Sequence, residues 1–279
     1  MFKFRVDLRP LNIFRVVNVP GRILYGFSVT ARNTPGVLAK ISKTFSNHGV
    51  NIIDSIASSP YIEEFGAALF VVDFTDVDVS YSEIKREIEE IDEVLEVKVI
   101  NQLAPGLFAD LLHFPVMVNG ERAVIMRREI YKAFIKDLRD EWGSAGEVFL
   151  YHVGEKIGEN VVEVYTKILK LQPQVKKFVK LEDMVKISLT FGYFIPEIVK
   201  LNLERGEATI RIYDSFECEL GKGENRPYSQ LIRGMIAGVT KKVQNTDKVD
   251  VEEVKCIAVG DPYCEFQVKA IKQGGNSES

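Results

Sequence analysis

No stretch of this 279-residue chain reaches the roughly eighteen consecutive apolar residues that a membrane-spanning helix needs, so no transmembrane helix is predicted. The N-terminus, Met1-Phe2-Lys3-Phe4-Arg5-Val6-Asp7, alternates charged and apolar residues and lacks the unbroken apolar core of a signal peptide. Together these absences predict a cytoplasmic protein with no membrane partner. Cysteine is scarce: Cys218, Cys256 and Cys264 are the only three, all in the last quarter of the chain. An odd number in an intracellular protein argues against a disulfide framework. Histidine is as rare, with His48, His113 and His152. None has a sequence neighbour at nucleophile or metal spacing, so each is predicted to cap a helix or sit on the surface. There is no glycine-rich dinucleotide fingerprint after a strand and no phosphate-binding loop. Neither a helix-turn-helix, an internal repeat nor a low-complexity tract occurs. Positive charge is not in excess either: 36 basic against 40 acidic residues leave −4. Broad nucleic-acid binding needs a concentrated basic face, so no direct nucleic-acid partner is expected.

What the chain does have is apolar material for real cores, 46% of its residues, over a length that fits two domains. Residues 1–22 are broken by Pro10, Pro20 and Gly21 and have room for one or two short strands. From Tyr25 the pattern is regular. Tyr25, Phe27, Val29 and Ala31 alternate with small or polar residues, the period of a half-buried strand. A turn at Asn33-Thr34-Pro35-Gly36 leads into a helix carrying Val37, Leu38, Ile41 and Phe45, which Gly49 stops. Val50–Ala57 and Phe65–Phe74 read as strands. Ser80 and Glu83 form a capping box before Ile84, Ile88 and Ile91, and Val94–Ile100 closes with a strand. Strand, helix, strand, strand, helix, strand is the ferredoxin-like order.

The turn carries the most informative short motif. Pro35 fixes the helix entrance, Gly36 lets the backbone approach a ligand or a neighbouring subunit, and the first-turn amides can hold a carboxylate. A tight turn without a ligand fits the spacing equally. Residues 24–102 resemble an ACT domain, the small regulatory module of amino-acid metabolism. The run Phe27-Ser28-Val29-Thr30-Ala31-Arg32-Asn33-Thr34-Pro35-Gly36-Val37-Leu38, with Ile41, Phe45, Gly49, Val50, Asn51 and Ile52 behind it, carries the likeness. Asn33 stands where the family usually has Asp, which removes a charge that could grip an amino group. The resemblance implies an amino-acid ligand at Asn33, Thr34, Pro35, Gly36, Val37 and Leu38, and a homodimer formed side by side through the sheets.

Beyond Ala104-Pro105-Gly106 the texture changes to long helices. Arg127–Trp142 places Ile130, Phe134, Leu138 and Trp142 on one face. Ala145–Leu169 is a longer helix in which Gly154 and Gly158, each unfavourable there by up to about 1 kcal/mol against alanine, predict close approach of another backbone. Leu181–Ile195 is read as a helix and Ala208–Leu220 as a strand. Pro227 opens a helix with Leu231, Met235 and Val239 on one face. Val249–Val259 and Cys264–Ile271 read as strands joined at Gly260-Asp261-Pro262-Tyr263, and Gly274–Ser279 as a disordered tail. Glu63-Glu64 and the run Lys85-Arg86-Glu87-Glu89-Glu90 read as solvated faces. Phe134, Trp142, Tyr151, Tyr165, Phe191, Tyr193 and Phe194 are the aromatics available to line a pocket.

Cys256 and Cys264 flank the hairpin turn, Glu253 precedes Cys256 by three, and Cys218 lies on the strand ending near Leu220. Three thiolates and a carboxylate would complete a tetrahedral zinc shell. Buried core cysteines fit the spacing as well. Residues 113–271 resemble a 4-vinyl reductase (4VR) domain, a ligand-sensing fold related to the TRAPP transport subunits. The likeness rests on Glu217-Cys218-Glu219, on Tyr228, Leu231, Gly234, Met235 and Gly238, on Val251–Cys256, and on Val259–Phe266. It implies a zinc ion held by Cys218, Glu253, Cys256 and Cys264, in a structural role because a closed four-ligand shell leaves no position for a substrate.

The expectation is an α+β chain: an N-terminal extension (1–23), a ferredoxin-like βαββαβ ACT module (24–104), a helix-rich α/β 4VR domain of TRAPP-like fold (105–273) and a tail (274–279). Function is expected to be ligand-responsive regulation, of transcription or metabolism, through a protein partner. The ligands would be an amino acid and a hydrophobic or aromatic compound. An enzyme with an organic cofactor in the 4VR pocket and an assembly protein are the alternatives.

Overall fold

The computed structural model describes residues 10–59, 64–118, 120–171 and 185–271. The readings of Met1–Asp7, Glu63, the start of the Leu181–Ile195 helix and the Gly274–Ser279 tail lie outside those residues. Chain contacts divide the described residues into two compact units, 10–125 and 126–271. Among the described residues no helix is long and apolar enough to cross a membrane.

The first unit contains β1 (Val16–Asn18), β2 (Leu24–Arg32), α1 (Val37–Asn47), β3 (Asn51–Ser58), β4 (Phe65–Asp73), α2 (Tyr81–Glu89), β5 (Val94–Asn101), β6 (Leu107–Ala109), β7 (Val116–Val118) and β8 (Glu121–Ala123). Its main sheet runs β3-β4-β2-β5 with every pair antiparallel, so the βαββαβ order read from the sequence is the observed one. The period-2 pattern of β2 produces it. Phe27, Val29 and Ala31 face the helices and pack with Ile41, Phe45, Ile84 and Ile88, while Leu24 joins Phe14, Leu69, Val71 and Phe108 on the other side. Full burial of one such side chain contributes about 1.5–3 kcal/mol. The capping box is present: the Ser80 hydroxyl accepts from the Glu83 amide, and the Glu83 carboxylate accepts from the Ser80 amide. Leu38, read as part of the apolar face of α1, is 49% exposed. The expected boundary at residue 104 falls inside this unit because β6 continues past it and pairs with β1, Phe108 opposite Val17.

The second unit begins with α3 (Arg128–Lys132) and α4 (Leu138–Trp142), joined without interruption by a π-helical turn at Ala133–Asp137. The wider turn shifts the helical phase. Ile130, Phe134 and Trp142 are therefore more than half exposed, contrary to the face predicted for them. Ile135 and Arg139 are the buried residues, with Tyr131 and Leu138 packed against the core. Next come α5 (Ser144–Leu171), a 3₁₀ turn at Ile187–Phe191, β9 (Ile195–Asn202), β10 (Glu207–Tyr213), α6 (Phe216–Leu220), α7 (Gln230–Gln244), β11 (Lys248–Lys255) and β12 (Cys264–Ile271). The sheet order is β11-β12-β10-β9. Two sequence readings are corrected here. The helix expected to run to Ile195 ends at Phe191, and Ile195 opens a strand. Pro196 is accommodated because β9 is an edge strand, where a missing N–H costs no ladder bond. The strand expected to reach Leu220 stops at Tyr213. Asp214 turns with φ 49°, and Ser215 caps a helix by accepting from the Cys218 amide.

The glycine pair in α5 has the predicted neighbour. A Cβ on Gly154 would lie 2.0 Å from the Leu231 carbonyl oxygen, and one on Gly158 would lie 2.2 Å from that of Met235. Gly234 and Gly238 on α7 stand in the reciprocal relation to Tyr151 and Glu155. The two helices cross backbone to backbone, and α7 thereby reaches the sheet carrying the cysteines.

Candidate metal centre and ligand cleft

The sulfur atoms of Cys218, Cys256 and Cys264 and a carboxylate oxygen of Glu253 all lie within 4.8 Å of one another. Cys264 opens β12, and Cys256 follows β11 on the bend before the Ile257–Val259 turn. Glu253 comes from β11, opposite Phe266, and Cys218 from α6 rather than from a strand. The sulfurs of Cys256 and Cys264 stand 3.6 and 3.5 Å from that of Cys218. All three cysteines are buried. Amides are aimed at the set: Tyr228 N–H donates to Cys256 Sγ (3.3 Å), Ile257 N–H to Cys264 Sγ (3.4 Å) and Ser229 N–H to Glu253 Oε2 (3.1 Å). Such donors favour anionic ligands. Burial pushes the Glu253 carboxyl up to about 8. Hydrogen bonding to Cys256 is the largest influence raising the Cys218 thiol, to about 12. Cys256, receiving hydrogen bonds from both other thiols, is held low. Only one of three touching thiols ionises easily without a cation; a bound metal would keep all three as thiolates. Three soft sulfurs and one oxygen suit zinc and do not suit calcium or magnesium.

A buried ion pair lies behind the cluster. Glu217 accepts from the amides of Leu231 and Ile232, both at 2.9 Å, in the first turn of α7. Arg139 donates to Glu217 Oε1 (2.5 Å) and to the Tyr228 carbonyl (2.7 Å), and lies 3.8 Å over the Tyr228 ring. Burial pushes the Glu217 carboxyl up, while Arg139 and the two amides pull it back. Neither Arg139 nor Ser229 was singled out in the sequence. A serine just before an apolar helix is a helix-start signal, but its inward direction has no signature.

The six residues of the turn motif line one cleft of about 320 Å³, together with Val29, Ile41, Ser59 and Ala68. Gly36 has φ +91°, and no side chain caps α1. A Cβ at Gly36 would meet nothing within 4 Å, so the left-handed backbone requires glycine there, not crowding. Asn33 donates from its side-chain amide to Ser59 Oγ at 2.9 Å.

The histidines do have partners, contrary to their sequence reading. His48 caps α1 and bonds to Glu87 (2.9 Å). His113 bridges Ser28 Oγ (3.0 Å) and Asp110 Oδ1 (2.9 Å), and Arg15 pairs with Asp110 (2.7 Å). His152 is exposed beside Tyr151. Of the aromatics expected to line a pocket, Tyr151 and Phe194 pack on the core, and Phe134 and Trp142 are exposed. Phe191 and Tyr193 continue into an aromatic chain through Phe216 to Tyr131, with the last two ring separations 5.6 Å.

Comparison with known proteins agrees with this division. The AHAS small subunit-like ACT domain matches residues 27–96, and the vinyl-4-reductase (4VR) domain matches residues 208–270. The uncharacterized protein MJ0150 of Methanocaldococcus jannaschii is 28% identical over 127 residues, 46% of this chain and 66% of its own length. The chain thus spans less than two thirds of that relative, and 30% of a second, MJ0855 of the same organism. UPF0237 protein MJ1558, also of M. jannaschii, is 32% identical over 75 residues, 27% of this chain and 81% of its own. Among solved structures, the phenol-responsive sensory domain of the transcription activator PoxR aligns at TM-score 0.46 and 16% identity, over 55% of this chain and 79% of that one. A vinyl-4-reductase family protein of M. jannaschii aligns at TM-score 0.37 and 20% identity, over 54% and 85%.

Proposed function

This chain belongs with the UPF0237 proteins and joins an ACT domain to a 4VR domain, and on that premise we propose that it is a small-molecule-sensing regulatory protein. The observation that carries this reading is the single cleft lined by Asn33, Thr34, Pro35, Gly36, Val37 and Leu38 under a helix start that no side chain caps. The ligand class that fits is an amino acid. Its carboxylate would meet the first-turn amides of α1, its ammonium the polar rim at Asn33 and Ser59, and its side chain the apolar wall of Val29, Ile41 and Ala68. In the second unit, Tyr131, Tyr193 and Phe216 offer faces to a hydrophobic or aromatic compound.

Cys218, Glu253, Cys256 and Cys264 would hold zinc, whose role with four protein ligands is to fix α6 against the β11–β12 hairpin. The protein would work in the cytoplasm as a homodimer and act on transcription or metabolism through a protein partner, in keeping with its net charge of −4. Regulation would proceed by population shift, limited by the ligand's differential affinity for two arrangements of the chain. Isothermal titration of the full chain with the amino acids, and then with phenols and fatty acids, tests the reading. Absence of saturable binding for every one of them would refute it.

A second reading, an enzyme, has one observation in its favour: Ser28, His113 and Asp110 are hydrogen-bonded in the order of an acyl-transfer triad. Against it, Ser28 is buried in mid-strand with neighbours on both sides, opposite Leu69 and Lys98. Its backbone is thereby committed to the sheet and is not free to stabilise an oxyanion. Labelling of Ser28 by a fluorophosphonate, dependent on His113, would favour the enzyme.

A further inference from the structure

Ser229 holds the residue position just before the first turn of α7, where a serine ordinarily turns its hydroxyl back to accept an amide of that turn. Here it does not: the Ser229 side chain makes no capping bond. Glu217, from a separate segment, accepts the Leu231 and Ile232 amides in its place, and Arg139 compensates the charge of Glu217. The Ser229 hydroxyl is thereby released to point the other way. It donates to Glu253 Oε1 at 2.7 Å and lies 2.9 Å from Cys218 Sγ and 3.6 Å from Cys264 Sγ. The backbone N–H of the same residue donates to Glu253 Oε2 at 3.1 Å. Ser229 is 1% exposed, so bulk solvent does not compete for these bonds. One residue thus grips both carboxylate oxygens and touches two of the three sulfurs. The preceding amide, of Tyr228, serves the third sulfur, that of Cys256.

The geometry points to Ser229 as the positioning residue of this metal site: its hydroxyl and amide orient Glu253 as the fourth ligand, and Glu217 has taken over the helix cap that would otherwise occupy it. This inference rests on the reading that the four residues bind zinc. Glu253 is the weak member of the set in physical terms. A carboxylate on an edge strand can swing to water, whereas a thiolate in the core cannot. Outer hydrogen bonds of this kind fix ligand orientation, and their loss typically lowers metal affinity about 10- to 100-fold.

The test uses the full chain as purified, with Ser229→Gly and Ser229→Ala. Glycine is nearly as good as serine before a helix, so the first variant removes the hydroxyl with little effect on folding; circular dichroism checks this for both. Zinc release to a chromophoric chelator is timed, and Co²⁺ is then bound in place of zinc to read the ligand field. Both variants are expected to release zinc faster, to bind Co²⁺ about 10- to 100-fold more weakly, and to shift the d–d bands while retaining the thiolate charge-transfer bands. Wild-type release rates and an unchanged Co²⁺ spectrum in both variants would overturn the role of Ser229 and leave the metal reading standing. A wild-type chain that contains no zinc and gives no thiolate–Co²⁺ bands would overturn both. Loss of the charge-transfer bands in the variants would show that Ser229 holds the thiols rather than Glu253, and would also overturn the assignment.

Discussion

Gly154 on α5 lies so close to Leu231 on α7 that a Cβ there would stand 2.0 Å from the Leu231 carbonyl oxygen. In an exposed helix, Gly→Ala would stabilise by about 1 kcal/mol. Here the obstacle is backbone, which cannot rotate away as a side chain can. Gly154→Ala is therefore expected to destabilise the second unit by about 1–3 kcal/mol, the usual range for overpacking. Urea unfolding measures it, and a variant as stable as the parent would contradict the helix crossing.

Gly36→Val tests the cleft. With φ +91° at residue 36, a β-branched side chain pays about 1–2 kcal/mol of backbone strain or forces the turn into another shape. Open space around the missing Cβ means that nothing else changes. The variant should lose its thermal shift with amino acids and keep its metal content. For the parent, ligand at ~100 times the dissociation constant should add ~2.7 kcal/mol. A Gly36→Val protein that still responds would move the ligand elsewhere.

How far the sequence was readable depended on distance along the chain. Alternation in β2, the Ser80–Glu83 capping box and the turn at Pro35-Gly36 are local signals, and the first module follows from them. The four candidate ligands were readable as residue types, but the host of Cys218 was not. The alternation of Ile210 and Ile212 suggests a longer strand, and the break at Asp214 depends on a left-handed conformation without a glycine to announce it. Contacts between distant segments left no trace: Arg139 reaches Glu217 across 78 positions, and Ser28 meets His113 across 85.

Asp110 gives a pH signature. Burial alone would raise its carboxyl, but hydrogen bonds from the His113 amide and ring, and from the Leu112 amide, outweigh it and hold the group below its ordinary value. A depressed carboxyl contributes stability that is complete above the unfolded pKa, about 3.9, and is lost as pH falls through the folded value. Asp110→Asn should thus be less stable than the parent at neutral pH by about 1–3 kcal/mol, with the two converging in acid. Urea midpoints at a series of pH values check this, and a gap that widens in acid would reverse the sign of the argument.

The metal itself is tested most directly by removal. Cys218, Cys256 and Cys264 crowd their sulfurs to 3.5–3.6 Å in a buried site, and the unfolded chain has no such arrangement. Binding free energy is therefore folding free energy for this unit. Protein purified without added metal should contain about one zinc per chain, as a single four-ligand site requires. A strong chelator should lower the melting temperature of the second unit, and added zinc should restore it. Because the ligands must be deprotonated, the metal should leave as pH falls. Cys256→Ser should lose more affinity than Glu253→Gln, since thiolates supply three of the four donors and serine is a poor replacement for one. The Gly36→Val variant serves as the control, because its lesion lies in the other unit. If no metal co-purifies, and Cys256→Ser melts where the parent does, the three sulfurs are core residues and the zinc assignment fails.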